Sequence, residues 1–199
     1  MNTKYNDIRP DHRIILNMIP EGATVLDLGC GSGDLLLLLT RLKNITGRGI
    51  EIDEQAIHSC VEKGLSVFHG DIDSGIADYA DKSFDFVILN QTLQQVKNLE
   101  SVLSDSLRIG SNTIVGFPNF AYMKARSQIF FTGNTPITPS LPYSWYSTPN
   151  LHFFSISDFS KYCETKQIGI KEKHFLLGQK QITALPNLFA DTALFLLAK

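Results

Sequence analysis

Val25-Leu26-Asp27-Leu28-Gly29-Cys30-Gly31-Ser32-Gly33-Asp34 decides the fold. The apolar run before Gly29 reads as a buried strand. The Gly-x-Gly-x-Gly stretch reads as a tight turn, and Leu35 to Leu39 opens a helix. Strand, glycine turn and helix in this order begin a doubly wound α/β fold that binds nucleotides. At least one of these glycines must adopt a backbone conformation that a Cβ opposes, and the others let the main chain lie close to a ligand. The helix start adds N–H groups with no partner in the helix.

Spacing sharpens this reading. The dinucleotide fingerprint Gly-x-Gly-x-x-Gly wants its last glycine where Asp34 stands. An acid suits a helix N-terminus but repels a pyrophosphate. The turn fits better a cofactor that carries an amino acid and a ribose in place of phosphates, which describes S-adenosylmethionine (SAM). Glu51 follows Gly29 by 22 residues, and an acid about 20 residues past the turn is where a ribose diol is held. A carboxylate accepts from both hydroxyls at once. Asp53 reads as the cap of the next helix. The stretch closely resembles motif I of the class I SAM-dependent methyltransferases. In that class an acid at the end of the third strand accepts from the adenine amino group. Asp71 matches this position and Ile72 would lie against the ring; the alternative is a simple turn built on Asp71 and Asp73.

The rest of the chain continues the pattern. Ile8 to Ile19 suits a short helix with Pro10 near its start. Strands are expected at about 24–28, 48–53, 65–69, 83–90 and 112–117, with Gly47 breaking the chain before the second. Helices are expected at about 34–42, 54–63 and 101–107, the last stopped by Gly110. Asn90 and Gln91 end the fourth strand. Ligands collect at the carboxyl ends of strands in open α/β sheets, so both are site candidates unless they only cap the helix that follows. Ser155 with Asp158 resembles a capping box that starts a helix running to about Gln167. Residues 168–177 and 193–197 read as two strands with no room for a helix between them, hence an antiparallel closing pair. The expected architecture is a Rossmann-like, mostly parallel seven-stranded sheet of the class I SAM-methyltransferase type, in one domain spanning 1–199.

Residues 118–150 break the rhythm. Five of the eight prolines lie there, with the only tryptophan, Trp145. Ala121 to Phe131 is the one helical stretch. The aromatic density argues against disorder, and the segment reads as an ordered excursion over the carboxyl edge of the sheet, either lid, contact surface or satellite core.

Composition sets bounds. The chain has 199 residues, 43% of them hydrophobic and 19% charged, with a formal net charge of -2. That balance is ordinary for a soluble globular protein and disfavours a binder of nucleic acid built on phosphate contacts. Met1 to Asp7 carries no signal-peptide core, and no apolar run approaches a membrane span. Three widely spaced cysteines, Cys30, Cys60 and Cys163, and scattered histidines suggest no disulfide framework and no metal, and point to the cytoplasm.

A narrower resemblance rests on Ile8-Arg9-Pro10-Asp11, Leu89-Asn90-Gln91-Thr92-Leu93-Gln94, Phe117-Pro118-Asn119-Phe120 and Leu141-Pro142-Tyr143-Ser144-Trp145-Tyr146-Ser147-Thr148-Pro149-Asn150-Leu151-His152. These stretches look like the bacterial MetW family of methionine biosynthesis proteins. The departure is Ala121-Tyr122-Met123-Lys124, where the family more often shows a glycine and a tryptophan. The resemblance implies a role in making methionine from homoserine, with homoserine O-acyltransferase as partner. It implies SAM or S-adenosylhomocysteine as ligand, held by residues drawn from Asp27, Gly29, Cys30, Gly31, Gly33, Glu51, Ile52, Asp71, Ile72, Asn90 and Gln91. Two functions compete, an accessory protein of the acyltransferase and a true methyltransferase on a small molecule or protein. No convincing catalytic base is visible. His152, Tyr143 and Tyr146 are the candidates, and His152 reads better as a structural residue. Cys30 suits its tight turn by size more than as a nucleophile. A dinucleotide oxidoreductase is disfavoured by Asp34.

Overall fold

The computed structural model describes residues 8–74 and 76–198; the reading of Met1 to Asp7 lies outside them. The chain opens with helix α1 (Pro10–Met18), where Pro10 sits in the first turn and has no N–H to waste. Strand β1 (Thr24–Leu28) runs into the glycine turn and helix α2 (Asp34–Lys43). Strand β2 (Thr46–Glu51), helix α3 (Glu54–Glu62) and strand β3 (Val67–His69) follow. Asp53 caps α3 by accepting the Ala56 N–H at 2.8 Å. Then come β4 (Phe84–Asn90), a single 3-10 turn at Leu93–Gln95, α4 (Leu99–Ile109) and β5 (Gly110–Pro118). The carboxyl-terminal part contains α5 (Met123–Thr132), α6 (Ile156–Thr165), β6 (Gly169–Leu177), β7 (Lys180–Gln181), α7 (Pro186–Phe189) and β8 (Thr192–Ala198).

Among the described residues the strands form one sheet in the order β3-β2-β1-β4-β5-β8-β6-β7. The first five in that order run parallel, and β8, β6 and β7 close the sheet antiparallel. The chain winds outward from β1 to β3, then returns to lay β4 on the other side of β1. The crevice between the carboxyl ends of β1 and β4 is therefore the topological switch point, where α/β sheets bind ligands.

The central strands read as apolar runs because both sheet faces are covered. Successive side chains point to opposite faces. Val25, Phe86, Ile88, Ile114 and Leu194 pack under α1 and α2 with Ile15, Leu36 and Leu39. Leu26, Leu28, Val87, Leu89, Val115, Phe117 and Phe195 face α4 and α6. On that second face Phe117 has its ring centroid 4.7 Å from Phe154, 5.0 Å from Phe159 and 5.7 Å from Phe195.

Three details differ from expectation. Gly47 lies inside β2, paired with Val25. A Cβ there would run into the Leu36 side chain, so the glycine serves the close approach of α2 to the sheet, not a chain break. Gly110 begins β5 instead of only stopping α4. Between β6 and β8 there is room for the one-turn helix α7 and the two-residue strand β7, which adds an eighth, marginal strand. The capping box at α6 is present, with the Ser155 side chain accepting the Asp158 N–H at 3.1 Å and Asp158 accepting the Ser155 N–H at 2.9 Å.

The excursion is anchored at both ends. Asn119 is fully buried. Its amide donates to the Asn187 and Ala190 carbonyls at 3.1 and 2.8 Å, and its oxygen accepts the Ala121 N–H at 3.2 Å. At the far end the Leu151 and His152 N–H groups donate to the Gln94 carbonyl at 2.9 and 3.0 Å. His152 Nε2 lies 2.9 Å from the Val96 carbonyl, and since a carbonyl only accepts, that nitrogen carries the proton. His152 is thus structural. Asn119→Ala leaves several buried backbone groups unpaired, at about 1–3 kcal/mol each when unrelieved. Thermal melting is expected to fall by roughly 4–12 °C for a net loss of about 2–3 kcal/mol in a chain of this size.

Candidate functional site

The glycine turn sits at the switch point and its three glycines all have positive φ. Their surroundings separate their roles. A Cβ on Gly33 would strike the Leu65 and Cys60 side chains, so Gly33 packs α2 onto its neighbours and, contrary to expectation, does not line the cavity described below. A Cβ on Gly31 would meet nothing within 4 Å, at φ +53°. Gly31 is the glycine over which a ligand can approach the main chain.

Glu51 ends β2 and holds this turn. Its Oε2 accepts the Gly31 N–H at 2.7 Å, and its Oε1 accepts the Ile52 and Asp53 N–H groups at 2.9 and 3.0 Å. A carboxylate oxygen offers two lone-pair directions. Oε1 has both engaged with N–H groups, and Oε2 keeps one for an incoming hydroxyl.

A cavity of about 630 Å³ opens at this edge. Asp27, Gly29, Cys30, Gly31, Glu51, Ile52, Asp71, Ile72, Asn90 and Gln91 all line it. Asp27 is 3% exposed. Burial first, and then the negative charge of Glu51, push its carboxyl up to about 7. Burial and the Asp27 charge also push the Cys30 thiol up, which removes it as a thiolate nucleophile at neutral pH. Asp71 lines the wall and also accepts the Asp73 N–H at 3.0 Å. Asp73 in turn accepts the Lys97 and Asn98 N–H groups at 2.9 and 2.7 Å, so the two acids form a turn pair, and both line the cavity. Asp34 is ion-paired to Lys63 Nζ at 2.6 Å. That hydrogen bond, helped by the Ser32 hydroxyl and only partly opposed by burial, lowers its pKa. The acid in the first turn of α2 is thus bound by Lys63 and Ser32 and caps no N–H of the helix.

The structure adds residues that the motifs did not assign. The amino end of α1 lies across the cavity and contributes Arg9 and His12 to its wall. Asp11, 5% exposed, accepts Arg9 Nη2 at 2.6 Å and Asn90 Nδ2 at 2.9 Å. Burial pushes its carboxyl up, but the Asn90 amide, His12 and Arg9 outweigh that and hold it below the usual value. Burial, only partly offset by Asp11, lowers the pKa of His12, which leaves the imidazole neutral at pH 7. His12, not His152, is thus the imidazole on the wall. The only signal for it was the Ile8-Arg9-Pro10-Asp11 match. Asn90 Oδ1 has no hydrogen-bond partner. It fills the space where a Cβ on Gly116 would stand, which explains that glycine in mid-strand. Gln91 has φ +62°, uncommon for a side chain of its size, and its N–H donates to the Gly116 carbonyl at 2.7 Å. Tyr143 reaches the wall from the excursion, whereas Trp145 and Tyr146 point outward, 73% and 76% exposed. Among the described residues no group of His, Cys, Asp and Glu side chains converges as a metal site, and no helix is long and apolar enough to cross a membrane.

The family model described as methionine biosynthesis protein MetW matches residues 9–197. The bifunctional methionine biosynthesis protein MetXA/MetW of Rhodopirellula baltica is 35% identical over 196 residues, covering 92% of this chain and 32% of that protein. The ribosomal protein L11 methyltransferase of Burkholderia vietnamiensis is 33% identical over 93 residues, 46% of this chain and 31% of that protein. The chain thus spans about a third of the length of these curated relatives. SAM-dependent methyltransferase structures from Thermotoga maritima and Mesorhizobium loti both align with TM-score 0.67 at 18% identity. They cover 96% of this chain, and 87% and 96% of their own. At that identity the likeness shows the fold alone, an α/β sheet of the class I SAM-methyltransferase type.

Asp27 generates a pH-dependent stability. A carboxyl whose folded pKa of about 7 exceeds its ordinary 3.8 binds its proton more tightly in the folded chain. Its contribution is fully present below pH 3.8 and is lost as the pH rises to about 7. Asp27→Asn removes this loss. The melting temperature of the variant minus that of the wild type is expected to be near zero at pH 4 and to rise by several degrees at pH 8. A difference that does not change with pH would show that Asp27 is ionised throughout.

Proposed function

Because the chain belongs to the MetW family of methionine biosynthesis proteins, we propose that it binds SAM or S-adenosylhomocysteine in this cavity and acts with homoserine O-acyltransferase in making methionine from homoserine. The observation that carries the ligand is the buried Asp27 carboxylate beneath the open backbone of Gly31. A nearly inaccessible acid next to a second acid is stabilised by a cation, and the ligand brings an ammonium group together with a ribose for Glu51 Oε2. Asp71 and Ile72, both on the cavity wall, would take the adenine edge and face. Free thiols at Cys30, Cys60 and Cys163 suit a cytoplasmic setting.

Two observations support the partner. One relative bears the double name MetXA/MetW, so both functions travel there in one chain. The excursion also exposes large apolar side chains, with Phe130 81%, Phe131 79%, Trp145 73% and Tyr146 76% accessible. Aromatic residues of this kind anchor interfaces because they bury much area at little entropic cost. A second reading, methyl transfer to a small molecule, is favoured by neutral His12 on the cavity wall as a proton acceptor.

Titration calorimetry tests the ligand. Glu51→Ala is expected to weaken SAM by about 1–3 kcal/mol, the scale of a hydrogen bond to a charged acceptor. Ligand ammonium favours ionised Asp27, so binding at pH 6 releases a proton and affinity rises about tenfold between pH 6 and pH 8. Folded protein giving no heat with either ligand would overturn the assignment.

Trp145→Ala and Tyr146→Ala are each expected to weaken the acyltransferase complex by about 2 kcal/mol or more, and to leave SAM affinity unchanged. Pull-down and calorimetry on both variants check this; an unaltered complex removes the segment as the contact surface.

A further inference from the structure

A second cavity, of about 430 Å³, lies beside the first and shares Arg9, Gln91, Gln95 and Tyr143 with it. Its floor carries acceptors that the chain leaves unused. Gln94 is 3% exposed and lines only this cavity. Its Nε2 donates to the Gln91 carbonyl at 2.8 Å, which fixes the orientation of the amide, and its Oε1 is buried with no hydrogen-bond partner. Buried acceptors are nearly always paired; this one lies just behind the cavity wall, and a small shift of the side chains that cover it opens it to a donor from the cavity.

Asp191 lines the same cavity and not the first. It is 7% exposed. Its main chain is pinned on both sides, the N–H to the Leu176 carbonyl and the carbonyl to the Asn119 N–H, each at 2.8 Å. One carboxylate oxygen accepts the Gly178 N–H at 3.1 Å, which leaves the other for the cavity. Asp11 also lines the wall, but Arg9 and Asn90 already satisfy it. Arg9 is the only basic side chain on this wall among the described residues. It binds Asp11 through Nε and Nη2 and keeps its remaining donors for an anion at the boundary of the two cavities.

A buried carbonyl oxygen and a buried carboxylate together call for a ligand group with several donors and a positive charge. An ammonium has three donors and no acceptor. The guanidinium at the shared boundary calls for a carboxylate. We propose that the second cavity binds a small α-amino acid as its zwitterion, the ammonium held by Gln94 Oε1 and Asp191 and the carboxylate by Arg9. The volume suits a compact ligand, and Pro139, Pro142 and Leu176 offer its side chain apolar contact. The ammonium end of the site stands apart from SAM binding, because Gln94 and Asp191 do not line the first cavity, while Arg9 lies on the boundary of the two.

The test is calorimetry of the intact chain, with and without S-adenosylhomocysteine, against the proteinogenic amino acids and L-homoserine. At least one compact amino acid is expected to bind below roughly 10 mM. Its analogues lacking the ammonium or the carboxylate, for homoserine 4-hydroxybutyrate and 3-aminopropanol, are expected to bind at least about tenfold more weakly. Gln94→Met and Asp191→Asn should each cost at least about tenfold in amino-acid affinity, and Asp191→Asn, which leaves the Gln91 turn intact, should leave S-adenosylhomocysteine affinity unchanged. Asp191→Asn keeps an oxygen for the Gly178 N–H, so it reads the site even if Gln94→Met fails to fold. No binding by any amino acid to folded wild-type protein overturns the proposal. So does binding that survives Asp191→Asn, or an analogue without the ammonium that binds equally well. Loss of S-adenosylhomocysteine binding alone would instead overturn the reading of the first cavity and leave this one standing.

Discussion

One carboxylate sets the geometry on which the cavity depends. Glu51 draws the Gly31 N–H from the turn after β1 and the Ile52 and Asp53 N–H groups from the turn after β2 onto a single side chain. These loops leave neighbouring parallel strands, paired through Asp27 and Gly49, and have no other hydrogen-bonded pair of comparable charge between them. Charge-assisted bonds of this kind are about twice as strong as neutral ones. They keep Gly31 in a conformation that a side chain would resist, and they fix the start of α2 relative to the sheet. The acid is also the source of the site's electrostatic tension. Its charge adds to burial in raising the Asp27 carboxyl, so the group that orders the turn destabilises its neighbour. Such conflicts are characteristic of sites that complete themselves with a ligand.

The strain continues across the switch point. Gln91 takes a left-handed backbone at the end of β4, and its carbonyl accepts from the side chains of Gln94 and Gln95 at 2.8 and 3.0 Å. A run of glutamines here turns the chain sharply and spends its own amides on holding the turn. Asn90 does the same toward Asp11, at the cost of an unpaired Oδ1 lodged against Gly116. The polar end of β4 is thus neither a plain helix cap nor solely a ligand surface. It fastens α1 to the sheet while lining the cavity.

What was legible in the sequence was local. The glycine turn, the 22-residue step to Glu51, the Asp53 cap and the Ser155-Asp158 box each encode their geometry within a few residues, or at a spacing set by one βαβ unit. The parallel strands followed from apolar runs buried on both faces, whereas the antiparallel ending was read from a gap too short for a helix, and the one-turn α7 does fit in that gap. What was not legible was tertiary. His12 belongs to an amphipathic helix whose destination no periodicity reveals. Gly33 and Gly31 look alike in a motif and differ only in what stands above them, Cys60 and Leu65 over one and open space over the other. Gly47 read as a break because the sequence does not show Leu36 packing down onto it. Tyr143 and Trp145 lie two residues apart in an irregular segment, where no period assigns one inward and the other outward.

The excursion and the cavities share a root. The Gln94 carbonyl accepts the Leu151 and His152 N–H groups, while its side chain donates to Gln91, which lines both cavities. Just outside this root, Tyr143 enters the cavity wall and Trp145 and Tyr146 face outward. A protein seated on those aromatics therefore presses on a segment whose base is bonded to the cavity floor. The prolines on either side, at 142 and 149, restrict the backbone between surface and root, so displacement at one end is poorly absorbed along the way. The same argument runs in reverse. A ligand that satisfies Gln94 Oε1 tightens the residue to which the end of the excursion is tied, and with it the surface on which the aromatics stand.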